Sequence, residues 1–365
     1  MRGLNWRNFD FLLFGAAVLA SAFGVMMIRS AIAGNENLAG YDTRQAYFAL
    51  AGVITIVILA SIDYRYWLSI HWPIYLVMML LLLSLSGLGQ AAFGAQRWFQ
   101  VGILFVQPTE FAKIVIILTL ARYFEKSQHD PRDLKWLLRS LIWVWGLVIW
   151  ILLQPNLSNV IVAMFLWLAM VWMNGVKVRQ IAWLVVGVAL VAVVAFPFLH
   201  PYQQARVLNF VHEDPNATNG ATYNVLQALI AIGSGGLFGK GYGHGTQTQL
   251  RFMKVRHTDF IFSATAEEFG MVGAIIVIVI EAFIIWRCFR AAQKARDLSG
   301  AMIAYGVAIL LFFQSAANIA VNLKLIPVSG LPLPFISYGG SGLMALMIGI
   351  GLVESVVMRH KPLEF

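Results

Sequence analysis

The chain has 365 residues, of which 60% are hydrophobic and 12% charged, with a mean hydropathy of +0.76. A water-soluble protein of this length cannot hide that much apolar surface, so lipid is the solvent. The formal net charge of +9 would suggest a nucleic-acid partner in a soluble chain, but basic residues in a membrane chain mostly set topology, and no nucleic acid is expected.

Ten apolar segments follow in chain order: 9–31, 45–62, 67–89, 109–124, 137–154, 157–174, 181–199, 259–286, 300–323 and 338–358. Most approach the ~20 residues a spanning helix needs. The first is flanked by Arg2 and Arg7 and lacks a small-x-small cleavage site, so it reads as a retained anchor. The expected fold is an all-α polytopic membrane protein of about ten transmembrane helices, a single domain over 1–365. With the N-terminus inside, the short inner connections carry most of the 26 Lys and Arg. Both termini are then cytoplasmic. The connection at 90–108 and the large loop at about 200–258, between helices 7 and 8, face outside. Lone Cys288 excludes an internal disulfide framework and paired-cysteine metal sites.

Polar residues within this apolar chain need a partner or a purpose. Glu110 and Lys113, three apart, share one helix face. They form either a structural ion pair or the charged wall of an outward cavity. Asn224 to Ile232 reads as a short amphipathic helix on the outer leaflet, with Val225, Leu226, Leu229 and Ile230 on one face and Gln227 opposite. The glycine-rich run 233–241 fits neither the Walker pattern nor GxGxxG, and is expected to be a hinge. The seven histidines are scattered and there is no HExxH, so a structural metal site has no support and any metal is unknown.

Arg251, Lys254, Arg256 and His257 cluster on the outer side, where topology does not require positive charge. They suit a phosphate-bearing ligand or anionic headgroups. Asp259 follows at the start of helix 8. It is either an N-cap, a role Thr258 would also suit, or a carboxylate offered to substrate at the outer surface. Glu267 and Glu268 would lie ~12–13 Å deeper in a continuous helix and point about 100° apart, so one is expected to be paired and the other is unexplained. Three prolines and a glycine keep 327–334 from being continuous helix, which makes that stretch an outer lip facing the long loop.

Five motifs in order resemble the SEDS family (shape, elongation, division, sporulation). They are Gly94-Ala95-Gln96-Arg97-Trp98, Gln107-Pro108-Thr109-Glu110-Phe111-Ala112-Lys113, Gly243-His244-Gly245-Thr246-Gln247-Thr248-Gln249-Leu250, Arg256-His257-Thr258-Asp259-Phe260-Ile261-Phe262, and Pro332-Leu333-Pro334-Phe335-Ile336-Ser337-Tyr338-Gly339-Gly340-Ser341. The third motif and the Arg before His-Thr-Asp look more like the elongation branch, RodA, than the division branch, FtsW. The resemblance implies a ten-helix peptidoglycan glycosyltransferase of the bacterial cytoplasmic (inner) membrane. Such an enzyme polymerises lipid II into glycan strands at the outer face, beside a class B penicillin-binding protein and other elongation-complex membrane proteins.

The resemblance carries the essential aspartate onto Asp259 as general base, and the supporting acid and base onto Glu110 and Lys113. His257 and Thr258 would complete the cavity. Arg97, Trp98, Arg206, Lys240, Arg251, Arg256 and Ser337 are the candidates for substrate binding. Charge on the leaving pyrophosphate would be met by these bases or by a divalent cation, Mg or Mn. Two departures stand out: Asn156 replaces the acid of the family's QPDLGT, and Phe105 stands where RodA members often have Arg. The rival readings are a lipid II flippase or other transporter, and a non-catalytic scaffold that activates a penicillin-binding protein.

Overall fold

The computed structural model describes residues 6–360 except 89, 93–94, 102–103, 199–200 and 212–219. The helices are α1 (Phe11–Ile32), α2 (Tyr41–Ser61), α3 (Tyr64–Ser69), α4 (His71–Leu88), α5 (Pro108–Lys126), α6 (Leu134–Leu153), α7 (Leu157–Met173), α8 (Val178–Ala195), α9 (Pro201–Val211), α10 (Gly220–Gly235), α11 (Thr246–Gln249), α12 (Ile261–Lys294), α13 (Leu298–Asn322) and α14 (Gly340–Val357). Every apolar segment read from the sequence is occupied by a helix of at least 17 residues. Six helices are long and apolar enough to cross a membrane: α1, α2 with its preceding turn, α6, α12, α13 and α14. Helices α4, α7 and α8 contain shorter apolar stretches. Of these six, α13 and α14 are the most enclosed, and with α5, whose residues are also mostly buried, they form the centre of the bundle.

The fold is not purely helical. Strands β1 (Gln90–Ala92), β2 (Ala95–Val101) and β3 (Leu104–Val106) form a small antiparallel sheet between α4 and α5. Little in the sequence signals it: along Ala95-Gln96-Arg97-Trp98-Phe99-Gln100-Val101 the polar pair Gln96-Arg97 and the apolar pair Trp98-Phe99 break any strict alternation. Ser341 fastens the sheet to the start of α14. Its Oγ donates to Phe105 O (3.1 Å) and accepts from Gln107 N–H (3.0 Å).

The long connection between α8 and α12 contains α9, α10 and α11, and its glycine-rich run is not a hinge. α12 breaks at Gly270 (φ 67°, ψ −164°), and the 235–241 segment plugs the break. Lys240 N–H and Gly241 N–H donate to Glu267 O (3.0 Å) and Glu268 O (2.9 Å). Met271 N–H and Val272 N–H donate to Gly236 O (2.9 Å) and Leu237 O (3.2 Å). Backbone groups that the broken helix cannot pair internally are thereby satisfied, as irregular backbone at membrane depth requires. Only glycine permits this approach: a Cβ on Gly235 would lie 2.0 Å from Ala266 O, and one on Gly239 2.2 Å from Glu268 O.

The same docking corrects the expectation for α10. The helix runs further than 224–232 and packs along α12, burying Val225, Ala228 and Ala231 while Ile230 stays exposed. Gly270→Ala would force a side chain into backbone space reserved for glycine and put Cβ 2.4 Å from Gly239 N. We expect a loss of about 3 kcal/mol or more, read as a lower Tm of the purified protein. An unchanged Tm would mean the segment does not plug the break.

Candidate active site

α12 begins at Ile261 with Phe260 as its N-cap, and no side chain caps it. The Asp259 carboxylate is therefore not spent on the helix, and the N-cap reading fails. Its backbone is instead clamped. Asp259 O accepts from Asn318 Nδ2 and Asn322 Nδ2, both at 2.9 Å. Asn318 Nδ2 also donates to Leu331 O (2.8 Å), and Asn322 Oδ1 accepts from Ser263 N–H (3.1 Å) and Ser263 Oγ (2.5 Å). Two buried amides on α13 thus tie together Asp259, the start of α12 and the proline-rich lip. Sequence reading missed both. The available signal was two Asn at i and i+4 in an otherwise apolar helix, which must find partners if buried.

The carboxylate itself is partly buried and faces Gly330. A Cβ at Gly330, whose φ is +70°, would lie 3.8 Å from Asp259 Oδ2. Among the described residues, no N–H or O–H donates to it. Burial pushes the Asp259 carboxyl up to about 6, against the opposing pull of the Arg206 guanidinium on α9. Of the expected bases, Arg206 is the one the structure sets in electrostatic reach of Asp259.

Beside Asp259, His257 packs against Tyr41 and Tyr338, each at 5.9 Å between ring centroids. Tyr41 and Tyr338 stack at 4.5 Å, and the Arg44 guanidinium lies 5.6 Å from the Tyr41 ring centre. Burial, with Arg256 beside it, pushes His257 down to about 4, so the ring is neutral at physiological pH. Tyr41 and Arg44 were not foreseen, because the start of helix 2 was placed at 45 and both fell in a connection.

Glu110 and Lys113 form a buried pair, Lys113 Nζ to Glu110 Oε2 at 2.7 Å. Lys113 also donates to Asn159 Oδ1 (3.3 Å), and Asn159 Nδ2 donates to Thr109 Oγ1 (3.3 Å). α5 and α7 are joined by this network. Its connection to Asp259 is indirect: Ser158 Oγ in the first turn of α7 donates to Ser329 O, next to Gly330. Asn156, where the family acid would be, is a buried amide preceding α7.

Several expected substrate contacts are used inside the protein. Arg256 is buried, with Nε donating to Ala31 O (2.5 Å) and Nη1 to Met253 O (3.2 Å). Arg251 Nη2 donates to Gly34 O. Both guanidiniums hold the C-terminal end of α1, where carbonyls lack helical partners and attract cations. Lys240 pairs with Glu267 (3.0 Å) and donates to Thr246 Oγ1 (2.7 Å). Glu267 also accepts from the N–H groups of Gln247 (2.8 Å) and Thr248 (3.0 Å), capping α11. Glu268 accepts from Ser30 Oγ, so the two glutamates do face different partners. Ser337 Oγ donates to Thr258 O (2.7 Å) and accepts from Leu333 N–H (2.9 Å), a clamp within the lip. Thr258 Oγ1 turns back to Val255 O (3.2 Å). Trp98 is half-buried opposite Gln90 in the sheet, and the Arg97 side chain lies outside the described residues.

For a divalent cation the fit is poor. Among the described residues, no three His, Cys, Asp or Glu side chains converge. A lone Asp259 falls short of the several oxygen ligands that Mg²⁺ takes.

The sequence matches the FtsW/RodA/SpoVE family, described as cell cycle proteins, over residues 10–362. It is 37% identical over 319 residues to the peptidoglycan glycosyltransferase MrdB of Escherichia coli K12, covering 86% of this chain and 84% of that one. The fold is similar to one chain of a peptidoglycan synthase complex whose solved structure concerns the coordination of polymerization and crosslinking. That match has a TM-score of 0.82 at 28% identity, covering 96% of this chain and 98% of the other. It is also similar to the crystal structure of the Thermus thermophilus rod shape determining protein RodA, with a TM-score of 0.72 at 29% identity over 97% and 98% of the two chains.

Proposed function

The chain belongs to the FtsW/RodA/SpoVE family of membrane cell cycle proteins and is a peptidoglycan glycosyltransferase, and from that premise we propose that Asp259 is its general base, acting on lipid-linked substrates. The observation that carries the assignment is the state of the Asp259 carboxylate. Two Asn side chains fix its backbone, no described donor occupies its oxygens, and burial holds it near neutrality. A general base works best with a pKa close to the operating pH.

In this reading a sugar hydroxyl of one lipid-linked chain approaches Asp259 across Gly330. The carboxylate takes the hydroxyl proton as the oxygen attacks the anomeric carbon of a lipid-linked disaccharide pyrophosphate. The new glycosidic bond forms with inversion, and lipid pyrophosphate leaves with the electron pair of the broken C–O bond. Charge on the leaving group is met by Arg206 and the outer-face Arg44. The lipid tails lie in the bilayer against the apolar helix flanks. Ten membrane crossings, cytoplasmic termini and an outer-face site follow from the same reading, as does residence in the bacterial inner membrane. A class B penicillin-binding protein is the partner it supports, as the structural likeness to a peptidoglycan synthase complex suggests.

The test is polymerisation of labelled lipid II by the purified chain, with and without a class B partner. Glycan from wild type but not from Asp259→Asn supports the assignment. Transbilayer lipid movement without polymer would favour a flippase instead, and partner activation by both variants a scaffold.

The pH dependence follows from the geometry. Asp259 must be ionised to accept a proton, so kcat/KM should rise with pH and reach half its plateau near pH 6. His257 is already neutral there and should add no falling limb. Polymerisation assayed from pH 5 to 8 checks this, and a flat profile would remove Asp259 from the proton transfer.

A further inference from the structure

At the opposite end of the bundle, a cavity of about 280 Å³ opens where the start of α1 meets the ends of α12 and α14. Arg287, on its wall, lies roughly 25 Å of helix beyond the Gly270 break, so the cavity is at the other membrane face from Asp259. Its polar lining holds four cations, Arg7, Arg287, Arg290 and Lys294, beside Asn8 and His360, with Asp10 as the acid. Asp10 is saturated from within. Its Oδ1 accepts from Leu13 N–H (3.1 Å), and its Oδ2 accepts from Arg287 Nε (2.8 Å) and Nη2. Glu354 lies buried behind, accepting Asp10 N–H (2.9 Å). Arg287 is therefore neutralised, but among the described residues no carboxylate pairs with Arg7, Arg290 or Lys294. Three exposed cations line the cavity in surplus.

Two further features fix its depth. Exposed Trp286 lies beneath the guanidiniums of Arg287 (5.6 Å) and Arg290 (5.5 Å), and exposed Trp marks the headgroup level of a bilayer. Phe11 and Leu12, exposed at 66% and 61%, continue directly from Asp10 down α1 and offer an apolar wall beside the cavity mouth. Cations with no carboxylate partner among the described residues, at headgroup depth above an apolar wall, match a ligand with a phosphate and acyl chains.

We propose that this cavity binds the phosphate headgroup of an anionic phospholipid in the leaflet opposite the Asp259 site. The proposal rests on the chain crossing a membrane and not on its enzymatic activity. Arg290 and Lys294 contact the phosphate from solvent-accessible positions. The acyl chains follow Phe11 and Leu12 into the bilayer. An anionic lipid bound here bridges α1, α12 and α14.

Native mass spectrometry of the full chain in neutral detergent, titrated with phosphatidylglycerol, reads the binding directly. The variants are Arg290→Glu with Lys294→Glu, and Arg296→Glu as an exposed basic control that does not line the cavity. Loss of two cations alone should weaken the tightest lipid adduct on the order of 30-fold, and their reversal to Glu by at least that much, while the control stays at wild-type affinity. Equal loss in both would mean diffuse surface attraction and overturn the site. Inorganic phosphate that displaces the lipid adduct at matched concentration would make it a free-anion site. An acidic peptide that binds wild type while phosphatidylglycerol does not would make it a protein-docking site. Either result overturns the lipid assignment. Thermal melting of all three proteins checks that each is folded.

Discussion

Asp259→Asn should end glycan polymerisation and leave a protein more stable than wild type. The first half follows from proton transfer. An amide cannot accept the hydroxyl proton, and a positioned base contributes roughly 10²–10⁴-fold. The second half follows from burial. The Asp259 carboxyl is raised to about 6 from its ordinary value near 4 because the folded protein disfavours its ionised form. A group whose folded pKa is raised stabilises the fold below its unfolded pKa, and that advantage is lost as pH climbs through the folded value. Wild type should therefore lose stability between about pH 4 and pH 6 and carry the deficit at pH 7. Two pH units correspond to roughly 3 kcal/mol, reduced by partial solvent access to about 1–2 kcal/mol. Asparagine has nearly the same shape, keeps the backbone clamp from Asn318 and Asn322, and carries no charge. Melting of both proteins from pH 4 to 8 should show the Asn variant above wild type at pH 7, with the difference between the two closing towards pH 4. Coincident curves with activity lost would separate the catalytic assignment from the electrostatic one.

The sequence exposed most of this architecture because membrane helices must satisfy their backbone internally and their outer surface with apolar side chains. That requirement writes each helix into the chain as an unbroken hydrophobic run, so α13 and α14 were legible almost to the residue. Asp259 was legible for a related reason, since an acid at the junction of a polar loop and an apolar helix needs an explanation. The small sheet was harder to find, because its longest strand is seven residues without strict alternation, between long helices. The plug at Gly270 was not legible at all. Glycines 235 and 239 read locally as freedom of movement and Gly270 carried no local sign at all, and only the packed structure shows three positions without side chains where two backbones touch. The internal partners of the bases were hidden in the same way. Arg251, Arg256 and Lys240 have the charge a phosphate needs, but the carbonyl end of α1 and Glu267 have the same claim on them. Charge type is local, whereas the competition for it is decided by tertiary contacts.

That competition is sharpest at Glu110 and Lys113, and it predicts how the pair must fail. Lys113 is about 1% exposed and Glu110 about 6%, so neither charge can turn to water when its partner is removed. Lys113→Met leaves Glu110 buried with no cation, and Glu110→Gln leaves the Lys113 ammonium with neutral amide acceptors and no counter-charge. Each single change should cost roughly 3–5 kcal/mol, because the cost is that of an uncompensated buried charge. Changing both together removes the charges at once, and the double variant should cost about 1–2 kcal/mol, well below the sum of the singles. Denaturant or thermal melting of the four proteins closes the cycle, and additive losses would mean the pair is not coupled in the folded state. Activity of the double variant then divides the two readings of the pair. The network runs from Lys113 through Asn159 to α7, and from Ser158 to the lip at Ser329 beside Gly330. If the pair only holds α5 to α7 and so keeps the lip against Asp259, a double variant that regains stability regains polymerisation. If the pair lines the space where substrate binds, stability returns and activity does not.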